Sequence, residues 1–578
     1  MINNKKESID ISIVLCGAAG QGIQTVEALL TKTLKGTGYH VFATREYMSR
    51  VRGGVNSTSI RVSSKPVRAY VERIDILIPL NKEAIPHLQE RVSTETIIVG
   101  ENKFIDILPG VISENIEIPF SELSIGLGGR IYANIIALGV ILCIMKAEKS
   151  IIHDLIIKNF SSKGQDIVDN NIKAVDKGYE VIESYISSNK KIKHLIDLRK
   201  NPSITNDYIL TGTQAIGLGA IAGGCNFACF YPMAPSTGIG TFLAQQALEF
   251  GMIVDQSEDE ISVINKTLGA SYAGARAFVS TAGGGFSLMA EGVSLAGMAE
   301  LPIVIVVGQR PGPATGMPTR TCQEAIELVL HAGAGWFPRI IFSPGTIEDA
   351  FKLTQNAFNL TQKYHVPVFI LVDQYLVDSY YNINSLDHEN IRIENHIIKT
   401  DLNYERYNFT ESGISPRGIP GFGKGLVDAD SHTHDESGVI TEDPYLRNKA
   451  VEKRFKKLEL IKKDTLPPEF IGNEDFKYLI VSWGSNYYLI KEALEILNRN
   501  DIGFLHFKQI YPIHESVLSY LIKAEIKISI EQNPTGQFAK LIENETHINM
   551  NHRILKYSGY VFSVEEIVNK LKKILGDG

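Results

Sequence analysis

The 578 residues are enough for about three to four domains, and 44% of them are hydrophobic, so a large core is expected. Basic and acidic residues nearly balance, 58 against 65, and no basic stripe with interleaved aromatic residues occurs, which argues against a nucleic-acid partner. The most apolar long run, residues 131–145, is too short to span a bilayer and is predicted to form a buried helix, so no membrane partner is expected. The first ten residues contain no apolar stretch, and secretion is not indicated.

The chain opens on a predicted buried strand at residues 11–16. A glycine-rich turn with Gly17, Gly20 and Gly22 follows, and then an amphipathic helix from about residue 24 to 34. A helix that begins after such a turn can hold an anion. The glycine spacing is not the dinucleotide pattern, and no acidic residue stands about twenty positions further on, so NAD binding is not predicted.

An arginine-rich run comes next, with Arg45, Arg50 and Arg52 before Gly53-Gly54. These arginines could bind an anion, or they could form an interface of salt-bridged side chains; both readings are open. Strands and helices alternate to about residue 195, and the polar, charged run at residues 187–200 is predicted to be a linker.

A second predicted domain opens near Tyr208 with a helix of small residues. The loop Tyr231-Pro-Met-Ala-Pro-Ser-Thr237 follows, in which two prolines restrict the backbone. The hydroxyls of Ser236 and Thr237 are candidate donors to a carboxylate. Among the five cysteines, Cys225 and Cys229 form the close pair; buried thiols are favoured over a metal site, and the reducing cytoplasm is the expected compartment.

Residues 256–320 hold the densest set of candidate site residues. Glu260 ends an acidic triplet and opens a predicted helix whose apolar residues recur at helical spacing. Ser257-x-x-Glu260 also fits a capping box, in which both side chains would bind free N–H groups at the helix start. The functional and the capping readings of Glu260 are both open.

A predicted strand at residues 278–280 leads into Thr281-Ala282-Gly283-Gly284-Gly285. The glycines can hold positive φ in a turn and present N–H groups to a ligand, but tight geometry alone is the favoured reading. A helix at 287–299 and a buried strand at 303–307 follow. Arg310 stands just past that strand, where open α/β sheets bind ligands.

Arg320 closes a loop rich in proline and glycine and is a second candidate carboxylate ligand, with simple surface exposure as the favoured alternative. Two further parallel strands, at residues 339–344 and 366–373, complete a doubly wound sheet. The last predicted domain has strands at 478–483 and 526–531 with a helix at 487–498 between them.

The long connector before the last domain contains His432, His434, Asp435 and Glu436. These residue types can bind a metal, but an exposed polar turn explains them as well, and no metal site is predicted for this chain.

Several of these runs together resemble the α subunit of the 2-oxoacid:ferredoxin oxidoreductases, which use thiamine diphosphate. They are Glu260 with its small-residue helix, the Thr281–Gly285 run, GQRPGP at 308–313, TGMPTR at 315–320, and the connector runs at 411–420 and 432–444. The stretch from Gly17 to Ser63 resembles the γ domain of the family, and residues 532–537 its transketolase C-terminal-like domain. The resemblance covers nearly the whole chain as a γ–α fusion.

The resemblance implies an α/β fold of three domains. They are a Rossmann-like γ domain at 1–195, a doubly wound thiamine-pyrimidine-binding domain at 196–400 and, after a connector at 401–470, a transketolase C-terminal-like domain at 471–578.

The resemblance also implies roles for individual residues. Glu260 is expected to bind the N1′ nitrogen of the aminopyrimidine, with Gly283, Gly284 and Gly285 beside the cofactor. Arg310 is expected to clamp the substrate carboxylate, with Ser236, Thr237 and Arg320 as further candidates. Gly20, Gly22, Arg50 and Arg52 are candidates for binding the phosphates of coenzyme A.

The loop at 231–237 departs from the family pattern, which is Tyr-Pro-Ile-Thr-Pro-Ser-Thr. Ala234 stands where the family has the threonine that contacts substrate. The lost donor is worth about 1 kcal/mol in net terms. This difference leaves open which 2-oxoacid is used, and it supports a second hypothesis, a non-catalytic binding or assembly paralogue.

One part of the expected site is missing from the chain. The family holds the diphosphate through Mg²⁺ with a Gly-Asp-Gly that is followed by an asparagine, and the only such run here is at residues 576–578, the end of the sequence. The resemblance therefore implies a β subunit that supplies the diphosphate site, Mg²⁺ and a [4Fe–4S] cluster. The expected reaction converts a 2-oxoacid, coenzyme A and oxidised ferredoxin to acyl-CoA, CO₂ and reduced ferredoxin, in a complex that is a dimer of heterodimers.

Overall fold

The fold comes from a computed structural model, which describes residues 10–18, 22–49, 54–105, 113–188, 198–387, 389 and 391–576. The sequence predictions for Gly20, Arg50 and Arg52 lie outside the described residues. The chain forms two compact units. The first comprises Met1–Leu210, Ser379–Ser385 and Ser563–Glu565, and the second comprises Thr211–Asp378, Leu386–Phe562 and Glu566–Gly578.

The strands, in chain order, are β1 (Asp10–Ala18), β2 (His40–Glu46), β3 (Val55–Ser63), β4 (Ile76–Pro79), β5 (Ile97–Gly100), β6 (Glu114–Glu117), β7 (Tyr208–Thr211), β8 (Phe227–Phe230), β9 (Ile253–Gln256), β10 (Ala277–Ala282), β11 (Ile303–Gln309), β12 (Ile340–Phe342), β13 (Val368–Asp373), β14 (Tyr380–Ile383), β15 (Glu469–Ile471), β16 (Tyr478–Trp483), β17 (Ile502–Phe507), β18 (Gln509–Tyr511), β19 (Ile526–Glu531) and β20 (His552–Leu555).

The α-helices are α1 (Ile23–Gly36), α2 (Ala84–His87), α3 (Phe120–Ile125), α4 (Ala133–Ile144), α5 (Lys149–Phe160), α6 (Gln165–Ser188), α7 (Gly212–Ala222), α8 (Thr237–Phe250), α9 (Glu260–Tyr272), α10 (Gly283–Leu288), α11 (Ala290–Met298), α12 (Ile326–His331), α13 (Ile347–Tyr364), α14 (Gln374–Asp378), α15 (Pro444–Lys463), α16 (Tyr487–Leu497), α17 (Val517–Lys523), α18 (Gln537–Thr546) and α19 (Val564–Leu575).

The first unit is built on an eight-stranded mixed sheet in the order β6-β5-β4-β1-β3-β2-β14-β7. Its central strand β1 is buried, and it pairs in parallel with β4 and antiparallel with β3. Helix α4 is buried beside α1 and α6, because nearly all of its residues are apolar. The predicted strand at 11–16, the helix at 24–34 and the buried helix within 131–145 are confirmed. None of the helices in the described part of the chain combines the length and the apolar character that crossing a bilayer requires.

A buried carboxylate connects α1 to the sheet of the first unit. The side chain of Glu27 is 0% exposed and accepts hydrogen bonds from Arg45 Nε at 2.8 Å, from Thr58 Oγ1 at 2.9 Å and from the Tyr380 hydroxyl. Burial raises the pKa of the Glu27 carboxyl, and the Arg45 charge opposes that rise. Arg45 is thus the salt-bridged arginine that one reading of the arginine-rich run predicts.

We expect Glu27→Ala to lower the free energy of unfolding by about 3–5 kcal/mol, because it removes one partner of a buried ion pair and leaves the donors of the others unsatisfied. Urea unfolding monitored by circular dichroism measures this loss. The control Glu90→Ala removes an exposed carboxylate from the same unit and should change the free energy of unfolding by less than about 0.5 kcal/mol. Equal urea midpoints for the two variants would contradict the structural role of Glu27.

The second unit contains two sheets. The larger is seven-stranded, in the order β18-β12-β13-β11-β10-β8-β9, and all of its pairings are parallel except that of β18 with β12. Helices separate successive strands along the chain, which is typical of a doubly wound sheet. The predicted strands at 339–344 and 366–373 are confirmed as β12 and β13. The carboxyl ends of β8, β10 and β11 lie at one edge of this sheet and position the candidate site.

The smaller sheet has the order β15-β17-β16-β19-β20, with only β15 antiparallel to its neighbour. The predicted strands at 478–483 and 526–531 are confirmed as β16 and β19, and the helix at 487–498 as α16. The buried carboxylate of Glu531 accepts hydrogen bonds from the N–H groups of Phe538 and Ala539 at 2.8 and 2.9 Å, which ties the end of β19 to the start of α18. The three sheets fit the predicted fold class, and the domain boundaries inferred from the sequence stay predictions.

The polar connector residues stabilise turns of the backbone. Asp435 Oδ1 accepts hydrogen bonds from the N–H groups of the next few residues, and Glu436 Oε1 accepts one from Phe409 N–H at 2.8 Å. The ring of His434 lies 3.8 Å from the ring of Tyr407, centroid to centroid. In the part of the chain that the structure describes, no group of three or more His, Cys, Asp or Glu side chains is arranged to hold a metal ion.

Candidate active site

Helix α9 begins at Glu260, but Glu260 does not cap it. The N-cap is Asp259, whose backbone is extended and whose Oδ1 accepts a hydrogen bond from Ser262 N–H at 2.7 Å. The Ser257 hydroxyl donates instead to Asp255 Oδ2 at 2.6 Å. The capping-box reading of Ser257 and Glu260 is therefore wrong, because the aspartate one position before the helix has taken that role.

The carboxylate of Glu260 is buried and incompletely bonded. The residue is 3% exposed, and its Oε1 atom is shielded from solvent without a hydrogen-bond partner among the described residues. A buried acceptor left in this state costs about 1–3 kcal/mol, and more when the group is charged. A ligand can complete the bonding of such an atom, so Oε1 is a candidate for a cofactor contact.

The glycine run faces this carboxylate from a neighbouring strand. Strand β10 ends at Ala282, and α10 begins at once with Gly283. The positive φ that the ligand-binding reading allowed is not used: none of the three glycines has a positive φ, because the extended Ala282 leads directly from the strand into the helix. Lack of room explains why residue 285 is a glycine, since a Cβ there would lie 2.5 Å from Glu260 Oε1 and 2.5 Å from Thr281 Oγ1.

We expect Gly285→Ala to lower catalytic activity at least about tenfold, because the added methyl group must displace the Glu260 carboxylate and a small displacement of a reacting group is costly. Steady-state rates and a thermal unfolding scan measure activity and stability separately. Gly269→Ala is the matched control, since a Cβ at that exposed position of α9 meets no atom within 4 Å. Equal activity in the two variants would show that the space beside Glu260 is not used.

Arg310 approaches the same place from the end of β11. Its Nη1 donates to the Ala234 carbonyl at 2.9 Å, and its Nε atom is buried without a hydrogen-bond partner among the described residues. Burial lowers the pKa of the Arg310 guanidinium, and the charge of Glu260 partly restores it. A carboxylate and a guanidinium, each with an unused polar atom, thus lie within electrostatic reach of each other.

The loop at 231–237 packs against β11 beside Arg310. A Cβ at Gly308 would lie 3.0 Å from the ring of Pro235, so this glycine allows the close approach. Ser236 is buried, and its hydroxyl donates to the Met233 carbonyl at 2.9 Å. Thr237 is the partly exposed first residue of α8. Of these two hydroxyl groups, Thr237 is the better placed to donate to a substrate, because Ser236 already donates within its loop.

Two further candidates have different surroundings. Arg320 is 8% exposed, and its guanidinium carbon lies 4.7 Å from the ring centroid of Tyr560, so the prediction of surface exposure is wrong; the cation–π contact holds the side chain in the interior. Gly22, in the first unit, is the exposed N-cap of α1 with φ of 76°, and its carbonyl accepts hydrogen bonds from Thr25 and Val26 N–H.

Sequence reasoning missed three contributors to the site. Asp259 as the helix cap was recoverable, because aspartate is among the favoured N-cap residues. No sequence signal predicts the other two contacts, because both depend on how the elements pack. They are the close approach of Thr281 to the space where a Gly285 side chain would lie, and the hydrogen bond between the Ala234 carbonyl and Arg310.

Cys225 and Cys229 are buried free thiols, as predicted, and burial raises their pKa values to about 12 and about 11.

Family models and known proteins match this chain. The model described as pyruvate flavodoxin/ferredoxin oxidoreductase, thiamine diphosphate-binding, matches residues 218–453, and that described as pyruvate ferredoxin/flavodoxin oxidoreductase matches residues 12–181. The 2-oxoacid:ferredoxin oxidoreductase subunit alpha of a Sulfolobus species is 30% identical, over 98% of this chain and 97% of its own length. The chain belongs to the 2-oxoacid:ferredoxin oxidoreductase α-subunit family.

Other members of the family are similar over different spans. The 2-oxoglutarate synthase subunit KorA of Methanocaldococcus jannaschii is 31% identical over 63% of this chain and 96% of its own length. A solved structure of 2-oxoglutarate:ferredoxin oxidoreductase from Magnetococcus marinus, with 2-oxoglutarate, coenzyme A and succinyl-CoA bound, is 27% identical with a TM-score of 0.91. It covers 98% of this chain, and this chain covers all of it.

These matches confirm the family inferred from the sequence, the fold class and the use of thiamine diphosphate. The geometry is consistent with that cofactor, because Glu260 Oε1 is an orphaned buried acceptor and the missing side chain of Gly285 leaves room beside it. The roles of the individual residues stay predictions.

Proposed function

We propose that this chain is the α subunit, with a fused γ domain, of a thiamine-diphosphate-dependent 2-oxoacid:ferredoxin oxidoreductase. With a β subunit it converts a 2-oxoacid and coenzyme A to acyl-CoA and CO₂ and passes the electrons to ferredoxin. The observation that carries this proposal is the buried Oε1 of Glu260, which no donor among the described residues satisfies and which helix capping does not explain.

Glu260 holds the aminopyrimidine in this proposal. Thiamine diphosphate supplies the electron sink that decarboxylation of a 2-oxoacid requires. The Glu260 carboxyl shares a proton with the N1′ nitrogen through Oε1, and its burial excludes water from that hydrogen bond. The N-terminus of α9 fixes the carboxylate position, because Asp259 anchors the first turn of that helix.

Arg310 binds the carboxylate of the substrate. Its bond from Nη1 to the Ala234 carbonyl fixes the plane of the guanidinium, and it leaves other N–H groups for the ligand. A planar guanidinium can bind a carboxylate in bidentate fashion, and it thereby orients the 2-oxo group as well as binding it. Thr237 is a further donor to the substrate, and Ser236 acts through the shape of the loop.

Partners supply the remaining parts of the site. A β subunit supplies the diphosphate site, Mg²⁺ and a [4Fe–4S] cluster, and the α-subunit naming of the relatives supports such a partner. Within the first unit, Gly20, Gly22, Arg50 and Arg52 stay the candidates for binding the phosphates of coenzyme A. The complex is a dimer of heterodimers in the cytoplasm, a compartment that the five free cysteines support.

The first substrate to test is 2-oxoglutarate, because two of the similar proteins are named for it. The chain, purified with its β subunit, is mixed with a viologen dye, coenzyme A and, in turn, 2-oxoglutarate, pyruvate or a branched-chain 2-oxoacid. We expect dye reduction with one acid that stops when coenzyme A is omitted. A complex that contains thiamine diphosphate but reduces no dye with any of these acids would overturn the proposal.

Ala234 favours a second candidate function. It replaces the hydroxyl group that the family places against the substrate, which is the change expected in a paralogue that binds or assembles without catalysing. The same assay separates the two functions: a non-catalytic paralogue assembles with its partner and shows no turnover. Intact Glu260 and Arg310, each with an unsatisfied buried atom, support the catalytic reading.

A further inference from the structure

A cluster of buried charges lies where the connector packs against helices of the second unit. Its cations are Arg406 and Arg417 of the connector with Lys453 and Lys457 of α15, and its carboxylate is Glu300, which follows α11. Each of these residues is between 2 and 7% exposed. The cluster includes the arginine of the ESGISPRGIP run at 411–420, to which the proposed function gives no role.

The ion pairs within the cluster neutralise only part of its charge. Glu300 Oε1 lies 2.7 Å from Lys453 Nζ, and Oε2 lies 3.1 Å from Lys457 Nζ. Arg406 Nη2 donates at 2.9 Å to a neutral acceptor, the carbonyl of Glu300. The lysines thus share one carboxylate, and this contact of Arg406 adds no negative charge.

Arg417 also contacts neutral oxygens. Its Nη1 donates to Gln362 Oε1 at 2.6 Å, and its Nη2 donates to the Ser271 carbonyl at the end of α9. Four cations against one carboxylate leave a formal excess of three positive charges. The C-terminal ends of α9, α11 and α13 lie at the cluster, and each is equivalent to about half a negative charge, which reduces the excess to roughly one and a half.

Several buried donors of the same cluster lack acceptors among the described residues. They are Arg406 Nη1, Gln362 Nε2 and the ring of His365, of which both nitrogens are without a partner. Burial, together with the charges of Arg406 and Lys457, holds the pKa of the His365 ring well below its usual range, so the ring is neutral and has one N–H to donate. A water molecule could accept these hydrogen bonds, but it would leave the excess charge in place.

We propose that this cluster binds one small monovalent anion such as chloride. The anion accepts hydrogen bonds from Arg406 Nη1, Gln362 Nε2 and the ring N–H of His365. One negative charge offsets most of the excess, whereas a divalent oxyanion would exceed it. The anion locks the connector onto the C-terminal end of α9. Because Glu260 is the first residue of α9, the site also stabilises the helix that carries the cofactor-binding carboxylate.

Bromide replaces chloride and is visible by anomalous scattering. Crystals of the wild-type chain with its partner subunit, soaked in sodium bromide, should show an anomalous peak within hydrogen-bonding distance of Arg406 Nη1 and Gln362 Nε2. A structure with water at this position and no bromide peak would overturn the proposal. This measurement needs no substitution, so it does not depend on how a variant folds.

Thermal unfolding gives an independent test in solution. Replacing sodium gluconate with sodium chloride at constant ionic strength, from about 1 to about 100 mM chloride, should raise the Tm of the complex by about 2–4 °C. Lys457→Met removes one buried cation and should abolish most of this chloride dependence. Lys456→Met is the matched control, because Lys456 is exposed on the same helix, and it should retain the full chloride shift. A Tm that does not depend on chloride in the wild type would contradict the proposal.

Discussion

Glu260→Gln is expected to lower kcat about 10²–10⁴-fold, the usual contribution of a positioned acid–base group, while the complex stays assembled. Glutamine keeps the shape of the side chain but cannot exchange a proton with the aminopyrimidine nitrogen. Because Oε1 is a buried acceptor without a partner in the described part of the chain, the substitution should leave the Tm of the apo complex unchanged or raise it. Viologen-dye reduction and a thermal scan of the same preparation measure the two effects.

The matched control for Glu260→Gln is Glu258→Gln. Glu258 belongs to the same acidic triplet, but its side chain is 74% exposed. It should retain wild-type activity. A Glu260→Gln variant that loses stability and activity together would indicate a structural carboxylate, whereas full activity in that variant would remove Glu260 from the mechanism.

Arg310→Ala is expected to lower kcat/KM for the 2-oxoacid about 10²-fold, with most of the effect in KM. Hydrogen bonds to a charged group contribute about 1.5–3 kcal/mol, and each 1.4 kcal/mol is about tenfold in binding. Arg310→Lys keeps the positive charge but not the planar pair of donors, so it should recover only part of the loss. Initial rates over a range of 2-oxoacid concentrations separate KM from kcat.

Arg392→Ala serves as the control for Arg310, since Arg392 is an exposed arginine of the same unit. The KM for coenzyme A provides a second check within the Arg310 variants. If Arg310 binds the 2-oxoacid carboxylate, the KM for coenzyme A should stay near its wild-type value. A parallel rise in both KM values would instead point to a general disturbance of the loop at 231–237.

The local pattern of apolar and polar residues was sufficient to predict the strands and to select the candidate site residues. The patterns at 303–307, 478–483 and 526–531 predicted strands, the first of them a continuous apolar run expected to be buried, and β11, β16 and β19 confirm them. Arg310 was found from its place just after such a run, because the carboxyl ends of parallel strands share one edge of the sheet. The resemblance carried by Glu260, the Thr281–Gly285 run and the runs at 308–313 and 315–320 also predicted the family correctly.

The local sequence pattern could not decide whether Glu260 caps the helix or belongs to the site. Its spacing from Ser257 satisfies a capping box as well as a functional reading, and the choice depends on which side chain reaches the free N–H groups of α9. The structure assigns that contact to Asp259 and directs the Ser257 hydroxyl to Asp255. Helix capping involves neighbours within a few residues, yet three acidic side chains in a row made the sequence ambiguous.

The amino-acid sequence by itself determined the family, the α/β class and the buried strands, and it supplied a short set of candidate residues for binding a thiamine cofactor and a 2-oxoacid. Only the tertiary structure decided why Gly285 is glycine, that β14 joins the sheet of the first unit and β18 the larger sheet of the second, and that Arg310 is oriented by a backbone carbonyl. The physical reason is distance along the chain. Hydrophobic period and turn chemistry act over a few residues, whereas steric room and buried charge depend on atoms brought together from segments far apart in the sequence.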